Sequence, residues 1–206
     1  MKFFLSALKS SVLITVVMGI LLCALYPLAV WSVAQLFFHH KANGSLIMDA
    51  DGSIRGSELI GQPFSSDCYF HPRPSVAGSG YDPMASSGSN FGPTSEKLAA
   101  EIETHIRDYR SRNVLPDDLP VPADAVTASG SGLDPDISTT NADLQASRVA
   151  VARGLPIEAL QALLARYTTP PDFGVLGESR VNVLLINRAL DTLARTQSAS
   201  RNQTIP

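Results

Sequence analysis

Two pairs of aspartates are the residues whose type and spacing are best suited to chemistry. Asp134 and Asp136 lie two positions apart in a loop rich in glycine and serine, and Asp49 and Asp51 repeat that spacing earlier in the chain. Paired carboxylates can bind a cation or act as acid and base. Aspartates beside glycine or proline also bond their own backbone in turns, and we favour that interpretation. The earlier pair also lacks the spaced third ligand and the closing glutamate of a calcium loop.

Residues that would complete a familiar catalytic or metal site are missing from the sequence. No lysine follows a glycine, which excludes a phosphate-binding P-loop, and no segment reads Gly-x-Ser-x-Gly. Cys68 has no partner nearby, and zinc-binding spacing is absent among the four histidines, His39, His40, His71 and His105. We therefore predict that this chain contributes no catalytic residue and no metal site, and binds no cofactor of its own.

The element that must position everything else is an apolar stretch from Val12 to Phe38, which contains no charged residue. As a helix it would measure about 40 Å, more than the roughly 30 Å hydrocarbon core of a bilayer. The apolar region of a cleaved signal peptide is much shorter, so we predict an uncleaved transmembrane helix over 11–38. Tyr26 and Pro27 lie inside it, and the proline predicts a kink that could contact partner helices.

Basic residues near the start of the chain set the predicted orientation. Lys2 and Lys9 precede the span, whereas only Lys41 follows it closely, so the positive-inside rule places the N-terminus in the cytoplasm. The chain is then a single-pass protein of the inner membrane with its domain outside. The predicted parts are a cytoplasmic tail at 1–10, the span at 11–38, a linker at 39–44, an extracytoplasmic domain at 45–195 and a flexible tail at 196–206.

Charge and cysteine content narrow the class of the outer domain. The chain carries 16 basic and 19 acidic residues; residues 1–41 hold three lysines and no acid, so the remainder has a net charge of −6. An acidic domain argues against nucleic acid as a partner, because nucleic acid requires a basic face. The two cysteines cannot pair if Cys23 lies in lipid, so the domain has no internal disulfide.

Local patterns predict a mixed α+β domain with short strands, long loops rich in glycine and proline, and about four helices. Asp-Gly between two apolar runs is a hairpin signal. Helical spacing of apolar residues marks the helices, and Gly154 suits the end of one of them. The predicted strands are 45–48, 53–59 and 125–128; the predicted helices are 93–109, 141–153, 156–166 and 181–194; the long loop is 61–94, whose aromatic residues indicate that it packs onto the domain.

Four separate motifs, in order, give the sequence a family resemblance. They are GSELIGQPF (56–64) with YFHPRPS (69–75), SSGSNFGPT (86–94), VTASGSGLDPDIS (126–138) followed by RVAVARGLP (148–156), and RVNVLLINRALD (180–191). Together with the N-terminal span and its Tyr26-Pro27, they resemble the C subunit of the Kdp potassium-transporting ATPase. The resemblance covers nearly the whole chain.

This resemblance implies an accessory subunit of a high-affinity ATP-driven potassium importer. Its implied partners are a channel-like subunit that selects K⁺, a P-type subunit that hydrolyses ATP, and a small single-span subunit, so ATP and K⁺ are handled by partner subunits. The family is described as a catalytic chaperone that supports ATP binding by the P-type subunit. Because only about ten residues are predicted in the cytoplasm, we expect an indirect effect. A nucleotide contact through Gln145 or the 129–133 loop would require the opposite orientation.

We expect partner contacts at the kink and at the shaped loops. The candidate residues are Tyr26, Pro27, Asn90, Ser129, Gly130, Ser131, Gly132 and Asp134. Three alternatives stay open from the residues alone. In the first, the loops at 61–94 and 126–138 only close the domain's own fold. The domain could instead be an outer enzyme that uses Asp134 and Asp136, or a solute-binding or sensor domain.

Overall fold

The computed structural model describes residues 1–49 and 51–203, with side chains as far as Arg195. The chain divides into two compact units, Met1–Arg55 and Gly56–Pro206. The predicted class is confirmed, since an apolar N-terminal helix is followed by a domain of helices and short strands.

The first unit is dominated by one long helix. It runs as α1 (Lys2–Gly19), a π-helical segment (Ile20–Leu25) and α2 (Tyr26–Phe37). The combined stretch is 36 residues long and contains an 18-residue window with a mean hydropathy of 2.5, so it is long and apolar enough to cross a membrane. The helix starts at Lys2, earlier than the predicted span, so nine of the ten residues before that span are helical too.

Pro27 explains the π-helical segment. Proline has no N–H, and in an α-helix its ring collides with the carbonyl four residues back, here that of Cys23. In the structure the backbone N–H of Tyr26 bonds to the carbonyl of Leu21, five residues back. A wider turn of this kind gives the proline ring room, and π-bulges are a recognised cause of helix distortion. The irregularity predicted at Pro27 therefore takes the form of a π-bulge.

A helical turn and a hairpin complete the first unit. The predicted linker contains α3 (His39–Ala42), which ends before Gly44 with its positive φ of 85°. Strands β1 (Leu46–Met48) and β2 (Ile54–Ser57) are neighbours in a two-stranded sheet, as the Asp-Gly signal predicted. The amide of Asp49 bonds to the carbonyl of Ser53 and closes the turn.

The second unit is built from helices around a small sheet. Its long helices are α4 (Glu96–Asn113), α6 (Thr139–Arg153), α7 (Ile157–Tyr167) and α8 (Val183–Gln203). A short 3₁₀ turn (Pro83–Ala85) and α5 (Ala123–Val126) lie between longer elements. Ser95 accepts a bond from the amide of Leu98, which explains why α4 begins at Glu96, three residues later than predicted.

Strands β3 (Asp136–Ser138), β4 (Thr168–Thr169) and β5 (Arg180–Asn182) form an antiparallel sheet in the order β3-β5-β4. Two of them pass directly into helices, because Ser138 caps α6 by bonding the amide of Asn141, and Asn182 bonds the amide of Leu185 at the start of α8. Val181 lies opposite both Ile137 and Thr168. The sheet therefore holds the starts of α6 and α8 side by side.

The core lies between this sheet and helices α6, α7 and α8. Its buried members include Ile137, Val149, Leu160, Val181, Ile186 and Leu190. Phe70, from the long loop, is also in this cluster with 0 % of its surface exposed. Burying one such ring stabilises a fold by about 1.5–3 kcal/mol. The prediction that the loop packs onto the domain is confirmed for this residue.

Two sequence predictions about elements are wrong. The strand expected at 125–128 is instead the end of α5 and an extended segment after it. Pro122 supplies the N-cap of that turn, and Asp124 is held by the backbone amide and hydroxyl of Ser138, so no sheet partner is needed. The last helix extends to Gln203, beyond the predicted end at residue 194. The predicted flexible tail at 196–206 overlaps the end of this helix as far as Gln203, whereas its side chains and all of residues 204–206 lie outside the described part of the structure.

Candidate functional site

The loops predicted to contact partners bind one another. The backbone amide of Gly61 donates to the carbonyl of Leu133 at 2.8 Å, and the amide of Ser87 donates to the carbonyl of Ser131 at 3.0 Å. The hydroxyl of Ser75 donates to the carbonyl of Gly132 at 2.6 Å. Loop 126–138 is therefore anchored to loop 61–94 along its length, which favours a role in closing the domain's own fold.

Glycine is required where these loops touch. A Cβ atom on Gly132 would lie 2.6 Å from the carbonyl oxygen of Ser87 and 2.9 Å from the amide nitrogen of Ala77, and its φ is +67°. A Cβ on Gly61 would lie 2.6 Å from the carbonyl oxygen of Asp134. Both neighbours are backbone atoms that cannot rotate away. By contrast, a Cβ on Gly130 meets nothing within 4 Å.

The aspartate pair at 134 and 136 is engaged in ion pairs and a turn. Asp134 pairs with the guanidinium of Arg73 at 2.9 Å and accepts the backbone amide of Asp136 at 3.0 Å. Asp136 pairs with Arg180 at 3.2 Å. Burial, and then the negative charge of Asp134, raise the pKa of the Asp136 carboxyl. The predicted turn interpretation is confirmed, and each carboxylate already has a cationic partner from its own domain.

The other predicted loop residues differ in exposure. Gly130 and Ser131 are exposed, whereas Ser129 and Gly132 are buried. Asn90 is exposed with φ of +55°, and its amide donates to the carbonyl of Gly88 at 3.0 Å. Among the predicted contact residues in the loops, the exposed ones are therefore Asn90, Gly130 and Ser131. Their contact with a partner stays a prediction.

The predicted contacts in the span lie in the first unit. Tyr26 and the other large apolar side chains of that helix are exposed, among them Leu25, Leu28 and Trp31. Tyr26 and Pro27 come directly after the π-helical segment, so the helix surface changes its regular spacing at that point. Such a surface can pack against lipid or against other helices.

A pair of buried amides lies at the centre of the domain; the sequence analysis named Gln145 only as a possible nucleotide contact and did not name Asn187. Gln145 on α6 accepts the backbone amide of His71 at 2.7 Å and donates to the carbonyl of His71 at 3.1 Å. Asn187 on α8 does the same for Phe70, at 2.8 Å and 2.9 Å. Gln145 and Asn187 are each 1 % exposed. We call Gln145 and Asn187 the amide clamp, since together they satisfy every backbone donor and acceptor of two residues of the long loop.

Arg148 extends the amide clamp. Its guanidinium donates to the side-chain oxygens of Gln145 and Asn113 at 2.8 and 2.9 Å, and to the carbonyls of Asp67 and Tyr69 at 2.6 and 3.0 Å. Burial lowers the pKa of the Arg148 guanidinium. The buried guanidinium is nevertheless well hydrogen-bonded, because its five N–H donors have a fixed geometry that can reach several oxygen acceptors at once. Gln145 and Arg148 are three residues apart on α6. Polar residues at helical spacing, Asn141, Gln145 and Arg148, among the alanines and valine of the buried face were the signal available in the sequence.

A cleft of about 210 Å³ opens beside the amide clamp. Its polar lining includes Gln145 of the amide clamp together with His71, His105, Asp108, Tyr109, Arg112 and Asn141. The guanidinium of Arg112 donates to Nδ1 of His71 at 3.1 Å, so that nitrogen is unprotonated and Nε2 donates to the carbonyl of Ser66 at 3.0 Å. Burial, and then the charge of Arg148, lower the pKa of His71 to about 4. This histidine is therefore neutral at physiological pH.

The cleft has hydrogen-bonding groups but lacks a paired nucleophile and base. Among its described lining residues there is no serine, threonine, cysteine or lysine. Tyr109 is held by Asn141, and burial raises the pKa of its hydroxyl. No group of three or more metal-ligating side chains occurs in the described part of the chain. The geometry suits a structural role for this polar cluster.

Comparisons with known proteins bear on the whole chain. The family model described as K⁺-transporting ATPase, c chain (KdpC) matches residues 8–192. The chain is 53 % identical over 189 residues to a potassium-transporting ATPase KdpC subunit of Mycobacterium bovis, covering 92 % of this chain and 97 % of that protein. It is 54 % identical over 185 residues to the protein of the same name from Caulobacter vibrioides, covering 90 % of each. A third, from Caulobacter sp. strain K31, is 50 % identical over 185 residues, covering 90 % of this chain and 91 % of that protein.

Proposed function

The chain belongs to the KdpC family, the c chain of K⁺-transporting ATPases, and from that premise we propose that it is a non-catalytic, single-pass subunit of an ATP-driven potassium importer. The observation that carries the proposal is the family match over residues 8–192, which includes both the apolar helix and the folded domain. Its partners in this proposal are the channel-like K⁺-binding subunit, the P-type ATP-hydrolysing subunit and the small single-span subunit.

The chain crosses the membrane once and carries its domain on the extracytoplasmic side. Lys2 and Lys9 before the span, against Lys41 after it, support that orientation through the positive-inside rule. ATP is cytoplasmic, so a domain on the outer side cannot touch it. The chain then supports ATP binding and hydrolysis by the P-type subunit indirectly, by holding the assembled complex in an active arrangement.

The environment of Gln145 supports an indirect role. Gln145 would contact a nucleotide only in the opposite orientation of the chain. Its amide already makes four hydrogen bonds inside the domain, to both backbone groups of His71 and to Asn141 and Arg148. A nucleotide could reach it only by breaking those bonds. Gln145 in this proposal stabilises the fold of the long loop.

The span contributes to assembly as well as to anchoring. Its side chains are predominantly apolar and carry no charge from residue 12 to 38, so it has no ion path of its own. The π-bulge before Pro27 gives it a distinctive shape against which a partner helix can pack. Tyr26 and Pro27 are the residues of this proposed helix–helix contact.

Removal of the chain tests the proposal. A strain that lacks only this subunit should lose high-affinity K⁺ uptake, and the remaining subunits should co-purify poorly in detergent. Restoring the chain should restore both. The proposal fails if uptake and co-purification are the same with and without the chain.

An assay of the purified complex separates the indirect effect from catalysis. Adding the purified chain back to the other subunits should lower the ATP concentration needed for half-maximal hydrolysis, whereas the chain alone should hydrolyse no ATP. ATP hydrolysis by the isolated chain above background would contradict the non-catalytic role.

A further inference from the structure

The connection between β4 and β5 presents an exposed apolar tip. Strands β4 and β5 pair antiparallel, with Thr169 opposite Arg180, and the chain between them turns back at residues 172–176. Phe173 is 93 % exposed and Val175 is 80 % exposed, and Leu176 beside them is also exposed. We call residues 172–176 the hairpin tip. Exposed apolar side chains that lie together commonly mark a binding surface.

Hydrogen bonds within the hairpin tip fix its shape. The amide of Asp172 donates to the carbonyl of Leu176 at 2.8 Å, and the amide of Leu176 donates back to the carbonyl of Asp172 at 2.9 Å. The amide of Gly174 donates to the carbonyl of Pro171 at 3.0 Å. The apolar side chains are therefore held outward by a formed turn, which lowers the entropy lost on binding.

Phe173 is an unfavourable residue for the stability of the isolated domain. Its φ is +54°, a left-handed conformation that a bulky residue adopts at a cost and that glycine or asparagine adopts easily. Its ring also lies outside the hydrophobic core cluster. A strained backbone and an exposed aromatic ring at one position point to a role in contact with another molecule.

Charge around the hairpin tip distinguishes between kinds of partner. Asp172 and Glu178 are both exposed. Arg180 lies 3.9 Å from Asp172 and also pairs with Asp136 at 3.2 Å. An acidic rim is repelled by anionic lipid headgroups, whereas it complements a protein pocket edged by lysine or arginine.

We propose that the hairpin tip inserts Phe173, with Val175 and Leu176 beside it, into an apolar pocket with a basic rim on another subunit of the potassium pump. The inference rests on the proposed function, because it takes the partner from the same complex. Phe173 is the aromatic anchor of this contact, and Asp172 and Glu178 provide its complementary charge. An aromatic anchor in a desolvated pocket commonly dominates the binding energy of an interface.

A pair of matched variants tests the anchor. Phe173→Asn removes the ring, and asparagine tolerates the left-handed backbone. Val114→Asn is the control, because Val114 is also left-handed, with φ of +53°, and 88 % exposed, but lies at the end of α4. In the full chain within the complex, the first variant should weaken retention of the partner subunits by about 30-fold or more, and the second by less than about twofold.

Thermal unfolding of the same full-length variants checks the fold. Neither substitution should lower the unfolding temperature, since asparagine suits both backbones. If Phe173→Asn proves unstable, Leu176→Ser repeats the test without changing residue 173. Equal retention for the wild-type chain, Phe173→Asn and Leu176→Ser would overturn the inference.

A photo-crosslinking amino acid at position 173 identifies what covers the tip. The expected product in membranes that contain the whole complex is an adduct with a pump subunit, in a segment with lysine or arginine beside apolar residues. Adducts with lipid, or a yield no higher than that of the same probe at position 114, would contradict the inference. Measuring K⁺ uptake after deletion of the chain tests the proposed function separately. The docking of the hairpin tip can therefore be refuted while the proposed function holds, and the reverse is also true.

Discussion

Replacement of Gln145 by alanine tests whether the amide clamp holds the domain together or serves a ligand. The change leaves three buried groups without their partner: the amide and the carbonyl of His71 and one nitrogen of Arg148. The side-chain oxygen of Asn141 keeps the hydrogen bond from the hydroxyl of Tyr109. Each unsatisfied buried group costs about 1–3 kcal/mol. The expected loss in free energy of unfolding is at least about 3 kcal/mol, a large part of the roughly 5–15 kcal/mol available to a typical domain.

Gln145→Glu refines this prediction. Glutamate keeps an oxygen for the amide of His71 and for Arg148, but it cannot donate to the carbonyl of His71 or to Asn141. The variant should therefore lie between the wild-type chain and Gln145→Ala in stability. Gln161→Ala on the exposed side of α7 is the control, and its effect should stay within about 0.5 kcal/mol.

The assay is urea unfolding of the full chain in detergent, followed by amide hydrogen exchange in peptides that cover residues 69–72. Exchange there should accelerate sharply in Gln145→Ala and stay unchanged in Gln161→Ala. The reasoning is refuted if Gln145→Ala unfolds within about 1 kcal/mol of the wild-type chain while the assembled pump loses affinity for ATP. That outcome would assign the side chain to nucleotide binding.

Three further predictions concern the cleft, the loops and the span. Folding lowers the pKa of His71 from 6.5 to about 4, so the unfolded chain takes up the proton first as the pH falls. The free energy of unfolding should therefore be highest above pH 6.5 and decrease toward pH 4, by at most about 2 kcal/mol at pH 5. The variant His71→Gln should flatten this part of the stability–pH curve. Gly132→Ala should lower the free energy of unfolding by about 1–3 kcal/mol because its Cβ meets the carbonyl of Ser87, whereas Gly130→Ala should be neutral in the same urea titration. Pro27→Ala restores an N–H and removes the ring, so amide exchange in the span should report a regular α-helix. Co-purification with the other subunits should also weaken. A π-bulge that persists in this variant would contradict the explanation.

Patterns of apolar residues predicted most of the fold correctly. The span, the Asp-Gly hairpin and the end of α6 at Gly154 all follow from local sequence, because membrane length, turn geometry and a left-handed C-cap act over a few residues. The strand predicted at 125–128 is wrong because Ser138, fourteen residues away, donates a hydrogen bond to the carboxylate of Asp124 and stabilises a helical turn instead. No local pattern contains such a contact.

The candidate site was predicted less completely, for the same physical reason. The turn role of Asp134 could be inferred from its neighbours, but its ion pair joins it to Arg73, 61 residues earlier. The amide clamp depends on Gln145 and Asn187 reaching Phe70 and His71 across 74 to 117 residues. Buried polar side chains take their partners from the tertiary fold, so the sequence could mark them only as polar residues on apolar helix faces.

The central claim is that this subunit acts from outside the cytoplasmic membrane, and thiol labelling of an exposed cysteine tests it most directly. In a chain with Cys23 and Cys68 replaced by serine, Met84→Cys supplies a thiol at a position that is 92 % exposed, and Ser6→Cys marks the N-terminal tail. With a membrane-impermeant maleimide on intact cells, the account predicts labelling at residue 84 and none at residue 6 until the membrane is opened. Labelling at residue 6 but not at residue 84 would place the domain in the cytoplasm and contradict the account.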